Sequence, residues 1–191
     1  MIILRKDKLN LVEPTAEVMT KPPTPFDFEK DGDSAPGISN VLFERMKQLG
    51  GIGLSANQVG LDMRVFVMGL GETKIAVFNP EILEYNPKQE HYKEGCLSYP
   101  GIMLTIKRPT TVKVKYQNEK GEVVENEFNG LTARVFQHEF DHMNGNDFTK
   151  GVSKFKMDFA KKQFENKRKK IIKKYAVKTM VEALNEHKNS N

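Results

Sequence analysis

His138 and His142 stand four residues apart in the stretch QHEFDH, with Glu139 directly after the first. On a helix, residues i and i+4 share a face, so both imidazoles can reach one ion while the glutamate sits beside it. Two neutral imidazoles bind a divalent metal, the metal acidifies a bound water toward pKa ~7, and the adjacent carboxylate can take its proton. The chemistry implied is attack of hydroxide on a carbonyl. With four His and seventeen Glu in 191 residues, chance supplies this HExxH pattern on the order of 0.01 times per chain. The ordinary alternative is a surface helix with two solvated histidines.

A catalytic metal of this kind needs three protein ligands and an open position. A metzincin takes its third from a histidine six residues past the second, and here Gly145 intervenes as required but Phe148 occupies that position, so the option fails. Glu165, the glutamate that a following helix would supply, lies inside the basic run FENKRKK and is a weak candidate. Cys96 remains: a thiolate binds strongly, and a reducing cytosol would keep it free. As the only cysteine it makes no internal disulfide, and it can equally be a small buried filler or a nucleophile.

Several elements must position these groups. The stretch TKPPTPFDFEKDGDSAPG (20–37) is rich in Pro, Asp and Gly and reads as an extended surface loop. Apolar residues from Ile38 to Leu49 fall at helical spacing, with Gly50 and Gly51 as a stop. RVFVMG, KIAVFNP, GIMLTI, TVKVKYQ and EVVENEF are strand-like, the last two joined across NEKG as a hairpin. Helical spacing resumes at Leu131 and runs through the histidine pair, and a second long helix is predicted from about Lys156 to Glu186. Strands in meander order followed by helices predict an α+β fold, with antiparallel sheets packed around a central HExxH helix and a long basic C-terminal helix. The glycine-rich GGIGLSANQVG matches no phosphate-binding pattern.

Composition narrows the class. At 38% apolar and 29% charged residues, with no apolar run near 18, the chain has no membrane span. MIILRKDKLN lacks the apolar core of a signal peptide, which favours the cytosol. The net charge of +5 is unevenly spread: 150–178 carries twelve Lys/Arg against Asp158 and Glu165, leaving 18 basic and 23 acidic residues elsewhere. Phe159, Phe164, Ile171, Ile172, Tyr175, Val181 and Leu184 interleave with these lysines, the pattern of a helix with one packed stripe and one cationic face. Such a face suits RNA phosphates, and equally a solvated helix docked on the domain, a calmodulin-like partner or an acidic membrane surface.

Taken together, GIGLSANQ, EGCLS and QHEFDH resemble the three signature motifs of peptide deformylase, in the same order and at similar separations, over roughly 38–148. The resemblance implies that Cys96, His138 and His142 hold one divalent metal ion, Fe(II) in the cell with Ni(II), Co(II) or Zn(II) also able to occupy the site. Glu139 would be the catalytic acid/base. The Gln58 amide and the Leu97 backbone N–H would bind the oxyanion. Ile52, Gly53, Glu94, Gly95, Leu131 and Val135 would contact the substrate, and an Asp141–Arg108 ion pair would brace the ligands. A solvated surface pair is the ordinary alternative for the last.

The implied reaction removes the formyl group from N-formyl-methionine of nascent polypeptides, releasing formate. The resemblance also implies a monomer with a catalytic domain 1–150 and a basic extension 151–191 able to contact the ribosome, whereas the loop insertion at 20–37 is longer than in typical bacterial members and is placed to border the substrate cleft. Ser55, Asn57 and Met143 depart from the usual family residues without removing a reactive group. Two other readings stand beside this one: an HExxH endopeptidase, and a noncatalytic ribosome- or RNA-associated protein with a vestigial site. The intact set Gln58, Cys96, His138, Glu139 and His142 argues against the latter.

Overall fold

Val65–Met68 is apolar at every position, which a strand tolerates only when both of its faces are covered. In the structure, a computed structural model describing residues 9–69 and 71–189 and only the backbone course from 174, this stretch lies inside a five-stranded antiparallel sheet. Its spatial order is β1 (Gly53–Ser55), β2 (Val65–Met68), β3 (Ile75–Tyr85), β6 (Thr111–Gln117) and β7 (Val123–Asn129). The strands β4 (Gln89–Gly95) and β5 (Met103–Pro109) form a separate antiparallel pair. Residues 1–8, and the side chains of Tyr175, Val181 and Leu184, lie outside the described residues.

Alternation along β2 divides the core. Val65 and Val67 pack with Ile38 and Leu42 of helix α3 (Ala35–Gln48), whereas Phe66 and Met68 pack with Ala133 and Phe136 of helix α4 (Gly130–His142). The sheet is thus the middle of three layers, and α4 is pinned against it by aromatic contacts. The Phe136 ring meets Phe66 edge-on at 5.2 Å and lies 5.6 Å from Phe128. With one face of α4 fixed to the sheet, the opposite face must present Leu131, Val135, His138, Glu139 and His142 to the remainder of the protein.

The terminal carbonyls of α4 are taken up by side chains from elsewhere. Asn57 Nδ2 donates to the His142 carbonyl at 2.9 Å, and Arg64 donates to that of Met143. These bonds supply the partners that a helix leaves unsatisfied at its end. The predicted hairpin forms with Gln117 opposite Val123, and Asn118 accepts from the N–H groups of Lys120 and Glu122 to shape its turn.

Three expectations need correction. The stretch 20–37 is not a continuous loop: it contains α2 (Phe28–Asp31), capped by the Asp27 carboxylate, a 3-10 turn at Gly32–Ser34, and the start of α3. Pro36 begins a helix rather than marking a loop, because its missing N–H falls where helical N–H groups have no partner. The same stretch does not border the cleft; Phe26 and Phe28 pack on Phe78 instead. The stripe of the C-terminal helix α5 (Lys154–Asn189) also differs, since Met157, Ala160 and Phe164 face inward against Ile102 and Phe148. Phe159, Ile171 and Ile172 are exposed. Spacing of three and four residues keeps Met157, Ala160 and Phe164 on one side, and Phe159 falls on the other.

The α4 anchor can be tested directly. Phe136→Ala should destabilise the protein by about 3–5 kcal/mol, measured by guanidinium unfolding followed by circular dichroism, and a loss below about 1 kcal/mol would contradict the layered packing.

Candidate metal centre and its cleft

Cys96 follows the end of β4, on a turn closed by Tyr99 N–H to the Cys96 carbonyl at 2.9 Å. The turn brings its thiol to the exposed side of α4, where Cys96, His138 and His142 offer ligand atoms that all lie within 4.8 Å of one another. Cys96 Sγ is 3.5 Å from His142 Nε2. All three residues are buried, and His142 is fully so. Two nitrogens and one sulfur suit a divalent ion of intermediate softness.

Electrostatics around the ligands favour the same conclusion. Burial disfavours a charged ring at His138, but hydrogen bonds to Cys96 and Glu94 outweigh it and hold the pKa up at about 10. Burial, with His138 beside it, pushes His142 down to about 3. The acidic neighbours of His138 therefore call for one positive charge at that point, which a divalent ion supplies.

Glu139 is buried, its Oε2 has no hydrogen-bond partner among the described residues, and burial pushes its carboxyl up to about 7 against the pull of His138 and Arg108. A carboxyl poised there can both accept and return a proton near neutral pH. Its place depends on Gly53, read from sequence as facing substrate. Gly53 does border the cleft, but it is buried, and a Cβ at that position would overlap the Glu139 carboxylate. Gly50 adopts φ +70 just after α3, the conformation of a helix stop.

Behind the ligands lies a group of charges that the sequence disclosed only in part. The predicted Asp141–Arg108 pair forms at 2.9 Å. Its centre, however, is Glu94, assigned from sequence to substrate contact. The Glu94 carboxylate accepts from Arg108 Nε at 2.8 Å and Nη2 at 3.0 Å, from Arg134 Nη1 at 2.6 Å, and faces His138 Nδ1 at 3.2 Å. Glu94 borders the cleft with its side chain committed to these partners. Burial works to raise its pKa, yet the bonds from His138 and Arg108 hold it down at about 2. Holding Nδ1 of His138 leaves its other nitrogen to face the metal position.

A cleft of about 930 Å³ opens in front of this centre. Ile52, Gln58, Gly95, Leu97, Leu131 and Val135 border it together with Cys96, His138 and Glu139, whereas His142 lies behind. Ile52 and Leu131 are 37% and 48% exposed, apolar surface left for a partner to cover. Sequence reasoning missed another wall, Leu11–Pro14, held in place by Val12 N–H to the Gln58 carbonyl at 3.0 Å. It also missed Tyr92, Met103 and Arg134, whose only prior signal was proximity to EGCLS and QHEFDH.

Comparison with known proteins yields consistent matches. The family described as polypeptide deformylase matches residues 8–158. A peptide deformylase of Thermotoga sp. (strain RQ2) is 48% identical over 133 residues, 70% of this chain and 78% of the relative. The crystal structure of peptide deformylase from Thermotoga maritima has a TM-score of 0.68 and 44% identity, covering 73% of this chain and 93% of that one. A Met-Ala-Ser-bound class I type b peptide deformylase from Acinetobacter baumannii has a TM-score of 0.71 at 29% identity, covering 74% and 96%. The mixed fold of helices and antiparallel sheet is shared with these structures.

Glu94→Gln should weaken metal affinity about 10–100-fold in chelator competition, and unchanged affinity would remove Glu94 from its bracing role. Folding also gains from Glu94 ionisation, because the folded pKa of about 2 lies below the ordinary 4.5. That gain is complete above pH 4.5 and is lost as pH falls toward 2. Acid titration of stability should show this loss in the parent protein and not in Glu94→Gln.

Proposed function

The chain belongs to the peptide deformylase family and is a metal-dependent hydrolase that removes the formyl group from nascent polypeptides, and we propose that Cys96, His138 and His142 hold its single metal ion. The observation that carries this assignment is the convergence of one thiol and two imidazoles within 4.8 Å beside a buried glutamate whose Oε2 has no partner among the described residues. Fe(II) is the ion proposed for the cell, with Ni(II), Co(II) and Zn(II) able to replace it in a site of this softness. When bound, the ion supplies Lewis acidity that acidifies a water and polarises the formyl carbonyl.

In this reading Ile52, Leu131 and Val135 receive the methionine side chain. The edge of β1 at Gly53 and the end of β4 at Glu94–Gly95 flank the peptide backbone in an extended form. Glu139 takes the proton from the attacking water. As a C–O bond forms at the formyl carbon, the Gln58 amide and the Leu97 N–H stabilise the oxyanion. Glu139 then delivers its proton to the departing nitrogen, the C–N bond breaks, and formate and a free amino terminus result. Arg108, Asp141 and Glu94 hold the ligands in register, and one chain contributes every group, so the enzyme acts as a monomer. The reading also places it in the cytosol; among the described residues no helix is long and apolar enough to cross a membrane.

Residues 1–150 form the catalytic unit in this reading and 151–191 an extension whose first turns, through Met157, Ala160 and Phe164, seat on it. The cationic run beyond them, Lys167, Arg168, Lys169, Lys170 and Lys173, is exposed and suits contact with ribosomal RNA phosphates.

Anaerobically prepared protein should release formate from formyl-Met-Ala-Ser, and Glu139→Ala should lower kcat by about 10²–10⁴-fold with its metal retained. Cleavage within an unformylated peptide would instead identify an endopeptidase. Removing residues 167–191 should weaken co-sedimentation with ribosomes, the difference shrinking as salt rises, while hydrolysis of the short peptide persists. Equal co-sedimentation by both forms would exclude the ribosome contact.

A further inference from the structure

A primary amide presents an acceptor oxygen on one side and two donor hydrogens on the other, and a half-turn about its last bond exchanges them. Gln58 can therefore serve an oxyanion in only one of two orientations. In the structure its Oε1 accepts from the Ser55 backbone N–H at 3.0 Å and from Ser55 Oγ at 3.1 Å. Its Nε2 points the opposite way, 3.0 Å from Ser98 Oγ and 3.3 Å from Cys96 Sγ. Ser55 is fully buried and Gln58 nearly so, although Gln58 borders the cleft.

We propose that Ser55 is a positioning residue for the deformylation reaction: its hydroxyl, added to its backbone N–H, latches the Gln58 amide with the donor side toward the reacting centre. The proposal rests on the reading of Gln58 as an oxyanion donor.

Three features support it. Ser55 ends β1 and caps the 3-10 turn Ala56–Val59, with Gln58 at the third position of that turn, so the latch is short and local. Reversing the amide would turn its own hydrogens toward the Ser55 backbone N–H, which can only donate, place its oxygen against the Cys96 sulfur, and require both serine hydroxyls to exchange donor and acceptor roles. Finally, two donors on Oε1 draw electron density from the nitrogen, which strengthens Nε2–H as a donor at the moment negative charge develops. Gln58 Nε2 donates one hydrogen to Ser98 Oγ and directs the other at Cys96 Sγ, so the donor side of the amide faces the reacting centre.

A double-mutant cycle tests this, with kcat and KM measured on formyl-Met-Ala-Ser for the parent, Ser55→Ala, Gln58→Ala and the double variant, each checked for metal content and near-ultraviolet circular dichroism. Ser55→Ala should lower kcat about five- to tenfold with KM within about twofold. In the Gln58→Ala background the same change should alter kcat by less than about twofold, because no amide is left to orient. Equal losses in both backgrounds, or no loss in Ser55→Ala alone, would overturn the proposal while leaving the Gln58 assignment intact. A Gln58→Ala protein with unchanged kcat would instead remove the oxyanion reading. Should the alanine variant fail to fold, Ser55→Cys, close in size and a weak donor, supports the same cycle with the same criteria.

Discussion

One buried carboxylate, that of Glu94, ties the candidate centre together. It sits on β4, receives two bonds from Arg108 on β5, one from Arg134 on α4, and faces the proposed ligand His138 on the same helix. Bringing these charges out of water is costly, and geometry of this quality is needed to offset it. The arrangement is better understood as a device for alignment than as a source of stability. Without Glu94, the buried Arg108 would keep only Asp141, Arg134 would keep only the Ile106 and Glu90 carbonyls, and His138 would lose the partner that sets its ring. The two-stranded sheet and α4 meet at this carboxylate, so the position of the metal ligands depends on it directly.

Much of the architecture was legible from periodicity. RVFVMG marked a strand, TVKVKYQ and EVVENEF marked a hairpin, and the spacing of Leu131, Val135, His138 and His142 marked a helix with a chemical face. β4 left no such trace, because in QEHYKEG only Glu94 is buried and the strand has no apolar alternation. At three residues, β1 is too short to show a period. Pro36 misled as a loop marker although it suits the start of a helix.

Within the site, the proposed ligands Cys96, His138 and His142 could be singled out in the sequence because HExxH and a lone cysteine carry their chemistry in their identity, and the fold brings the three together. The residues that brace them could be read only in part. Arg108 and Asp141 were paired by resemblance, but Arg134 and Glu94 acquire their roles from the fold, being 40 residues apart in sequence and 2.6 Å apart in space. Leu11–Pro14 likewise gains significance only because Val12 is hydrogen-bonded to the Gln58 carbonyl.

The proposed ligands lie on two segments separated by about forty residues, so the candidate metal position does not exist until the β4–β5 pair has docked on α4. An ion held there spans a long chain loop and excludes the conformations in which the two segments drift apart. Occupancy and global unfolding are then linked by mass action, and the free concentration of the ion sets how far the native ensemble is favoured. The cation that serves the chemistry is also a thermodynamic clasp on the polypeptide.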